Sequence, residues 1–144
     1  MRAQIQVMGV QDLKSAKERI RKHKNELIHA ANENDKTLVS LGGGCEEIEV
    51  HLFENTPSGP MLIVHLLVNV RDAMGANTVN AMAEYIAPDV AKISQGYVRL
   101  RILSNLADKR LVTASVKIAA SQLDTPDYKG DEVIKGILEA ASFA

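Results

Sequence analysis

Apolar and polar residues alternate from residue 3 to residue 8, with Ala3, Ile5 and Val7 set against Gln4, Gln6 and Met8. That period of two predicts a strand with one buried face. Asp12 is placed to cap a helix whose apolar positions Leu13, Ala16, Ile20, Leu27, Ile28 and Ala31 recur at helical spacing, ending near Asn34. Ile48, Val50 and Leu52 alternate with Glu47, Glu49 and His51, and the turn-forming run 55–60 leads into an apolar segment from Met61 to Val70. This predicts a hairpin. Its second arm is apolar on both faces, the pattern of a central strand covered on both sides. Val79, Met82, Ala83 and Ile86 mark a second helix, with Pro88 starting a further turn that ends at Gly96. Val98, Leu100 and Ile102 then alternate with Tyr97, Arg99, Arg101 and Leu103 as a fourth strand.

The order to residue 104 is βαββαβ, which predicts an α+β, ferredoxin-like antiparallel sheet with two helices on one face. A C-terminal strand-helix extension is expected beyond it. Residues 111–118 supply the strand, and Asp131 caps a last helix with Val133, Ile134, Ile137, Leu138 and Ala141 on one side. That apolar side ends at Ser142-Phe143-Ala144 without a capping glycine, so the chain reads as a segment whose packing partner lies elsewhere in a longer protein.

With 144 residues, 46% hydrophobic and 24% charged, the composition is that of a globular domain. Seventeen basic and 18 acidic residues leave a net charge of −1, so no overall field draws the chain to nucleic acid or membrane. Six basic residues between Lys14 and Lys24 face only Glu18. They read as a solvated helix side, because no interleaved aromatics accompany them. Aromatics are 3% of the chain and the central strands carry no stacking pair, which disfavours an RNA-binding module. The single Cys45 excludes an intramolecular disulfide, and no apolar run is long enough to span a bilayer. A reducing cytoplasm is the expected location.

The segment Asp72-Ala73-Met74-Gly75-Ala76-Asn77-Thr78 lies between a buried strand and a helix, with small residues where a ligand would meet the backbone. A helix start offers unpaired N–H groups and the positive end of the dipole, which suit a pyrophosphate. By these physics alone an ordinary capped turn explains the segment equally well; it is neither a G-x-G-x-x-G fingerprint nor a P-loop. Gly42-Gly43-Gly44 has the same two readings, a close approach of ligand to backbone or a plain turn. His51 and His65 are placed to face each other across the hairpin, but no third ligand is apparent, so no metal site is expected. Cys45 reads as a packed side chain, and Arg99 and Arg101 as partners in surface ion pairs.

Asp72-Ala73-Met74-Gly75-Ala76-Asn77 resembles the D-A-M-G-x-N dinucleotide motif of the hydroxymethylglutaryl-CoA (HMG-CoA) reductases. The likeness extends through Leu41-Gly42-Gly43-Gly44-Cys45, Val70-Arg71-Asp72, Asn77-Thr78-Val79-Asn80 and Arg99-Leu100-Arg101-Ile102-Leu103-Ser104-Asn105, in their bacterial, class II form. It implies a small nicotinamide-cofactor domain at 1–104, inserted in a larger domain that holds the thioester substrate and to which 105–144 would return. It further implies two successive hydride transfers from NAD(P)H to HMG-CoA, giving mevalonate and CoA. The family's glutamate, lysine, aspartate and histidine, which handle protons and the oxyanion, match no position here. No catalytic residue is therefore assigned, and the isolated chain is expected to be inactive. Cofactor contacts are expected at Asp35, Asp72, Ala73, Met74, Gly75, Ala76 and Asn77, and a substrate contact at Asn105. The resemblance gives Asp35 its role, since a carboxylate at the end of the first helix accepts from both ribose hydroxyls and repels the extra phosphate of NADP. NAD is the expected cofactor, with NADP possible because Lys36 adjoins. HMG-CoA and a second subunit would be partners of the full-length enzyme. The competing reading is a stand-alone ferredoxin-like regulatory or ligand-binding module with no redox role.

Overall fold

The computed structural model describes residues 1–109 and 111–143. The chain divides into two compact units, Met1–Arg110 and Leu111–Ala144. In the first unit the elements run β1 (Arg2–Met8), α1 (Leu13–Lys22), α2 (Lys24–Glu33), α3 (Lys36–Ser40), β2 (Gly44–Phe53), β3 (Met61–Asn69), α4 (Ala76–Ser94) and β4 (Tyr97–Ser104). The sheet order is β2-β3-β1-β4 and every neighbouring pair is antiparallel. This is the α+β, ferredoxin-like arrangement that the alternation of strand and helix patterns predicts.

The buried layer lies between sheet and helices. Ala3, Ile5 and Val7 of β1, Leu62, Val64 and Leu66 of β3, Ile20 of α1, Leu27 of α2, and Met82 and Ile86 of α4 are all essentially inaccessible. Fully burying one of the valine, leucine, isoleucine or methionine side chains in this set is worth roughly 1.5–3 kcal/mol. The sheet face thereby fixes the register, because a one-residue slip would turn the whole set to the other side.

The first crossover differs from the single helix expected. His23 breaks it into α1 and α2, and its ring Nδ1 sits 2.9 Å from the Arg19 carbonyl. α3 is an added short turn of helix capped by the Asp35 carboxylate, which accepts from the Leu38 N–H at 2.9 Å. α4 runs unbroken through Pro88. β3 is central because strands flank it on both sides, not because both faces are covered: Leu62, Val64, Leu66 and Val68 are buried, while Met61, Ile63, His65 and Leu67 on the opposite face are half-buried.

Two bulges shift the strand phases. β4 spans Val98 to Arg101 where β1 spans only Val7 to Ile5, so Val98 and Leu103 pack on the core while Leu100 and Ile102 stay exposed. In β2 the extra residue is Glu46, whose carboxylate accepts from the Asn69 side chain at 2.9 Å.

The second unit contains a 3-10 turn (Ala120–Leu123) and α5 (Gly130–Phe143). Residues 111–118 form no strand, contrary to their pattern. Val112 is 97% exposed, and no described strand pairs with the segment; without a ladder partner an alternating pattern has nothing to make it extended and hydrogen-bonded. Asp131 lies in the first turn of α5, not at its cap. The Asp124 carboxylate accepts from the Gly130 N–H at 2.7 Å, and Glu132 accepts from the Lys129 N–H at 3.0 Å. No described helix is long and apolar enough to cross a membrane.

Candidate functional site: the start of α4 and the Asp35 carboxylate

β3 ends at Asn69 and the chain turns sharply before α4. Arg71 takes a positive φ of 54°, with its N–H donating to Asn69 Oδ1 at 3.1 Å, and the Ala73 N–H donates to the Val70 carbonyl at 3.1 Å. Gly75 then serves as the N-cap of α4 at φ 74°. A Cβ there would lie 2.5 Å from Val70 Cγ1, so both conformation and space require glycine. No side chain caps this helix start and its first turn holds no acid. The leading N–H groups of a 19-residue helix are therefore left to another acceptor. Asp72, Ala73, Met74 and Asn77 are exposed, Met74 to 81%, while Gly75 and Ala76 are half-buried.

Asp35 comes to this helix start across 43 residues of sequence: the Thr78 hydroxyl donates to Asp35 Oδ2 at 3.0 Å. One carboxylate oxygen caps α3 and the other is tied to the first turn of α4, and each keeps a lone pair for a further donor. Lys36 turns instead to Glu33, at 3.0 Å, and is 75% exposed. The structure thus joins Asp35 to the turn that the sequence singled out, and adds Thr78 as the residue that holds them together. A hydroxyl in the first turn of a helix was the available signal for Thr78, but its partner becomes visible only once α4 packs beside α2, the helix that leads into Asp35.

Asn105 follows the end of β4 and is exposed. No hydrogen bond joins it to Asp35 or to the turn among the described residues. Near the same end of the sheet a cavity of about 660 Å³ is bordered by Met1, Asn69 and Asp72 on one side and Leu106, Asp108 and Lys109 on the other. Two glycines of the triplet are packed against the fold: a Cβ on Gly43 would meet the Asn69 carbonyl, and one on Gly44 the Asn32 side chain, each at 2.6 Å, whereas Gly42 has open space on its Cβ side. Burial pushes the Cys45 thiol up to about 11, which keeps it protonated and packed. Arg101 pairs with Glu84, and Arg99 lies over the Tyr97 ring at 4.8 Å. Much of the basic face of α1 and α2 is likewise engaged, with Arg19 donating to the carbonyls of Ile93 and Ser94 and Lys24 paired to Glu47.

On the open face of the sheet His51 and His65 do meet, with ring centroids 4.7 Å apart, and Glu49 supplies the third group that the sequence did not reveal. A hairpin folded symmetrically about Pro57 sets Glu49 opposite His65, so the register was the missing signal. Burial, then the neighbouring His51 and Arg2 charges, lower His65 to about 4.

The family model for hydroxymethylglutaryl-coenzyme A reductase matches residues 1–144, the whole chain. The chain belongs to the HMG-CoA reductase family. The 3-hydroxy-3-methylglutaryl-coenzyme A reductase of Archaeoglobus fulgidus is 46% identical over 144 residues, covering all of this chain and 32% of that protein. The HMG-CoA reductase of Streptococcus pneumoniae superposes with a TM-score of 0.80 at 36% identity, over 100% of this chain and 34% of that one. A second structure from the same organism is a class II reductase bound to NADPH in open conformations, with a TM-score of 0.80, 35% identity and the same coverage of each chain. The chain thus spans about a third of the length of the reductases it matches. In this chain Asp72-Ala73-Met74-Gly75-Ala76-Asn77 forms the turn into α4, with Gly75 at the N-cap position.

Proposed function

We propose that this chain is the dinucleotide-binding segment of a class II HMG-CoA reductase, and that the observation carrying this is the Thr78 to Asp35 hydrogen bond at the uncapped start of α4. The bond sets an acceptor for ribose hydroxyls beside a set of free backbone donors for a pyrophosphate, the two polar features of a dinucleotide. Gly75 and Ala76 leave room for the phosphates, and Asp72, Ala73, Met74 and Asn77 line the approach. The bound nicotinamide supplies hydride; what this chain contributes is affinity and orientation. NAD is the favoured cofactor, because the Asp35 carboxylate opposes a 2′-phosphate. NADP stands second, since Lys36 is exposed close by and a pneumococcal relative is described with NADPH.

The glutamate, lysine, aspartate and histidine of the reductase reaction lie outside this chain, which is inactive alone. Residues 105–144 return to the substrate domain, with Asn105 reaching HMG-CoA at the mouth of the site. In the complete enzyme the substrate is reduced twice to mevalonate and CoA, in a cytoplasmic homodimer.

Titration of the chain with NADH and NADPH, followed by nucleotide fluorescence, tests the reading. NADH should bind more tightly than NADPH, and Asp35→Asn, which keeps an oxygen to cap α3, should narrow that difference. A stand-alone regulatory module would ignore both. Failure of both cofactors to bind the chain and also the chain rejoined to its flanking sequence would end the proposal.

A further inference from the structure

We propose that Glu49, His51 and His65 form a site for one divalent transition-metal ion of the zinc class, on the sheet face opposite the helices. None of the three belongs to the dinucleotide site. Glu49 stands directly across from His65 in the β2–β3 ladder, and His51 is two residues further along β2, so all three project from the same face. The intervening residues Val50 and Val64 are buried on the other face, and the ladder is regular from Glu47 to Phe53. The backbone under the three side chains is therefore fixed.

One ligand atom from each lies within 4.8 Å of the other two. His51 Nε2 and Glu49 Oε2 are 3.5 Å apart. Two ligands bound at about 2.1 Å to a tetrahedral ion are separated by about 3.4 Å, so this pair already has its bound spacing, and a rotation of the His65 ring closes the set. His65 Nδ1 is buried without a hydrogen-bond partner among the described residues. The fold itself makes no use of that nitrogen, and an ion or water is the usual resolution of such an orphan. Two imidazoles and one carboxylate select zinc, cobalt, nickel or copper over magnesium and calcium, which prefer all-oxygen shells. Three protein ligands leave a fourth position open, and His51, 45% exposed, leaves a path for entry.

Two cations compete for the same carboxylate. Arg2 Nη2 is 3.9 Å from Glu49 Oε2 but spends its closer contact on Asp108, at 2.7 Å. Lys109 Nζ is 3.1 Å from Glu49 Oε1 and more than half exposed. Lys109 is the group that a metal displaces, because its side chain can swing into water at little cost.

The test is a titration of the untagged, metal-stripped chain with Co²⁺ followed by visible absorption, and with Zn²⁺ by calorimetry. One ion should bind per chain, with the d–d bands of a four- or five-coordinate nitrogen–oxygen site and no competition from excess Mg²⁺. His51→Ala and His65→Ala should each weaken binding by at least the roughly tenfold that follows from losing even a supporting group of a metal ligand, and should remove the bands. His51 is exposed enough that its replacement leaves the fold intact, which circular dichroism checks. Lys109→Ala should tighten binding severalfold. Absence of Co²⁺ bands in the unsubstituted chain, bands that persist in His51→Ala, or weaker binding by Lys109→Ala would each overturn the proposal.

Discussion

Replacing Asn32 with alanine removes the clamp between α2 and the first residues of β2. The Asn32 side chain accepts from the Cys45 N–H at 2.7 Å and donates to the Cys45 carbonyl at 3.1 Å, closing both backbone groups of a residue that is 4% exposed. The bulge that follows interrupts the ladder at this point, so no strand partner is positioned to take them over. Each buried backbone group left open costs about 1–3 kcal/mol. Asn32 is itself half-buried, so water reaches part of the vacated space, and the sum should settle near the low end, about 2–3 kcal/mol. Urea unfolding followed by far-ultraviolet circular dichroism measures this, with the midpoint falling and the slope unchanged. Asn32→Asp should fare little better, since a carboxylate still accepts from the N–H but faces the Cys45 carbonyl without a proton to give. A loss below about 1 kcal/mol for the alanine variant, within the range of an ordinary surface change plus experimental error, would refute the clamp.

Three further outcomes follow from the contacts described. Thr78→Val removes the donor that orients Asp35, and NADH affinity should drop severalfold in the fluorescence titration while the urea midpoint barely moves. Arg19→Ala takes a guanidinium from the last carbonyls of α4 and should cost about 1.5–3 kcal/mol in the same unfolding assay, the range for hydrogen bonds to a charged group. Cys45 ionises near 9.0 when unfolded but is pushed up to about 11 in the fold, so the unfolded chain loses its thiol proton first as pH rises. Stability from this group is complete below pH 9 and declines toward pH 11; stability measured across that window should fall less steeply in Cys45→Ala.

Much of the fold was legible because its strands bury one face. Ala3, Ile5 and Val7 are inaccessible as the alternation requires, and Val79, Met82, Ala83 and Ile86 line the inner side of α4. What escaped was decided by partners distant in sequence. The Val112, Ala114, Val116, Ile118 alternation has the strand period, but period says nothing about whether a ladder partner exists. Likewise Leu100 and Ile102 look like the inward residues of β4 until the bulge against β1 reverses them. At the candidate site the turn was readable from its own residues, because glycine and small side chains announce a close approach. The Thr78 to Asp35 bond was not, nor was Glu49 beside the histidine pair: both depend on which elements lie side by side and in what register. His23 broke the first helix without any glycine or proline to signal it.

The two ends of α4 are treated unequally. At its C-terminal end the Arg19 guanidinium sits on the carbonyls of Ile93 and Ser94, and Lys92 occupies the last turn. The negative end of a helix about 28 Å long is thereby neutralised from within the molecule, while at the positive end no side chain caps the backbone N–H groups and the Asp35 carboxylate reaches only the Thr78 hydroxyl. Beside the Asp35 carboxylate, which contributes its own negative charge, a dipole silenced at one pole acts at the other as a partial charge of about half a proton. Its attraction for an anion then falls off with distance more slowly than that of a free helix, whose far end subtracts from the near one. A basic residue placed 75 positions upstream of the helix terminus it covers thus adjusts the electrostatic potential at Gly75 without approaching it.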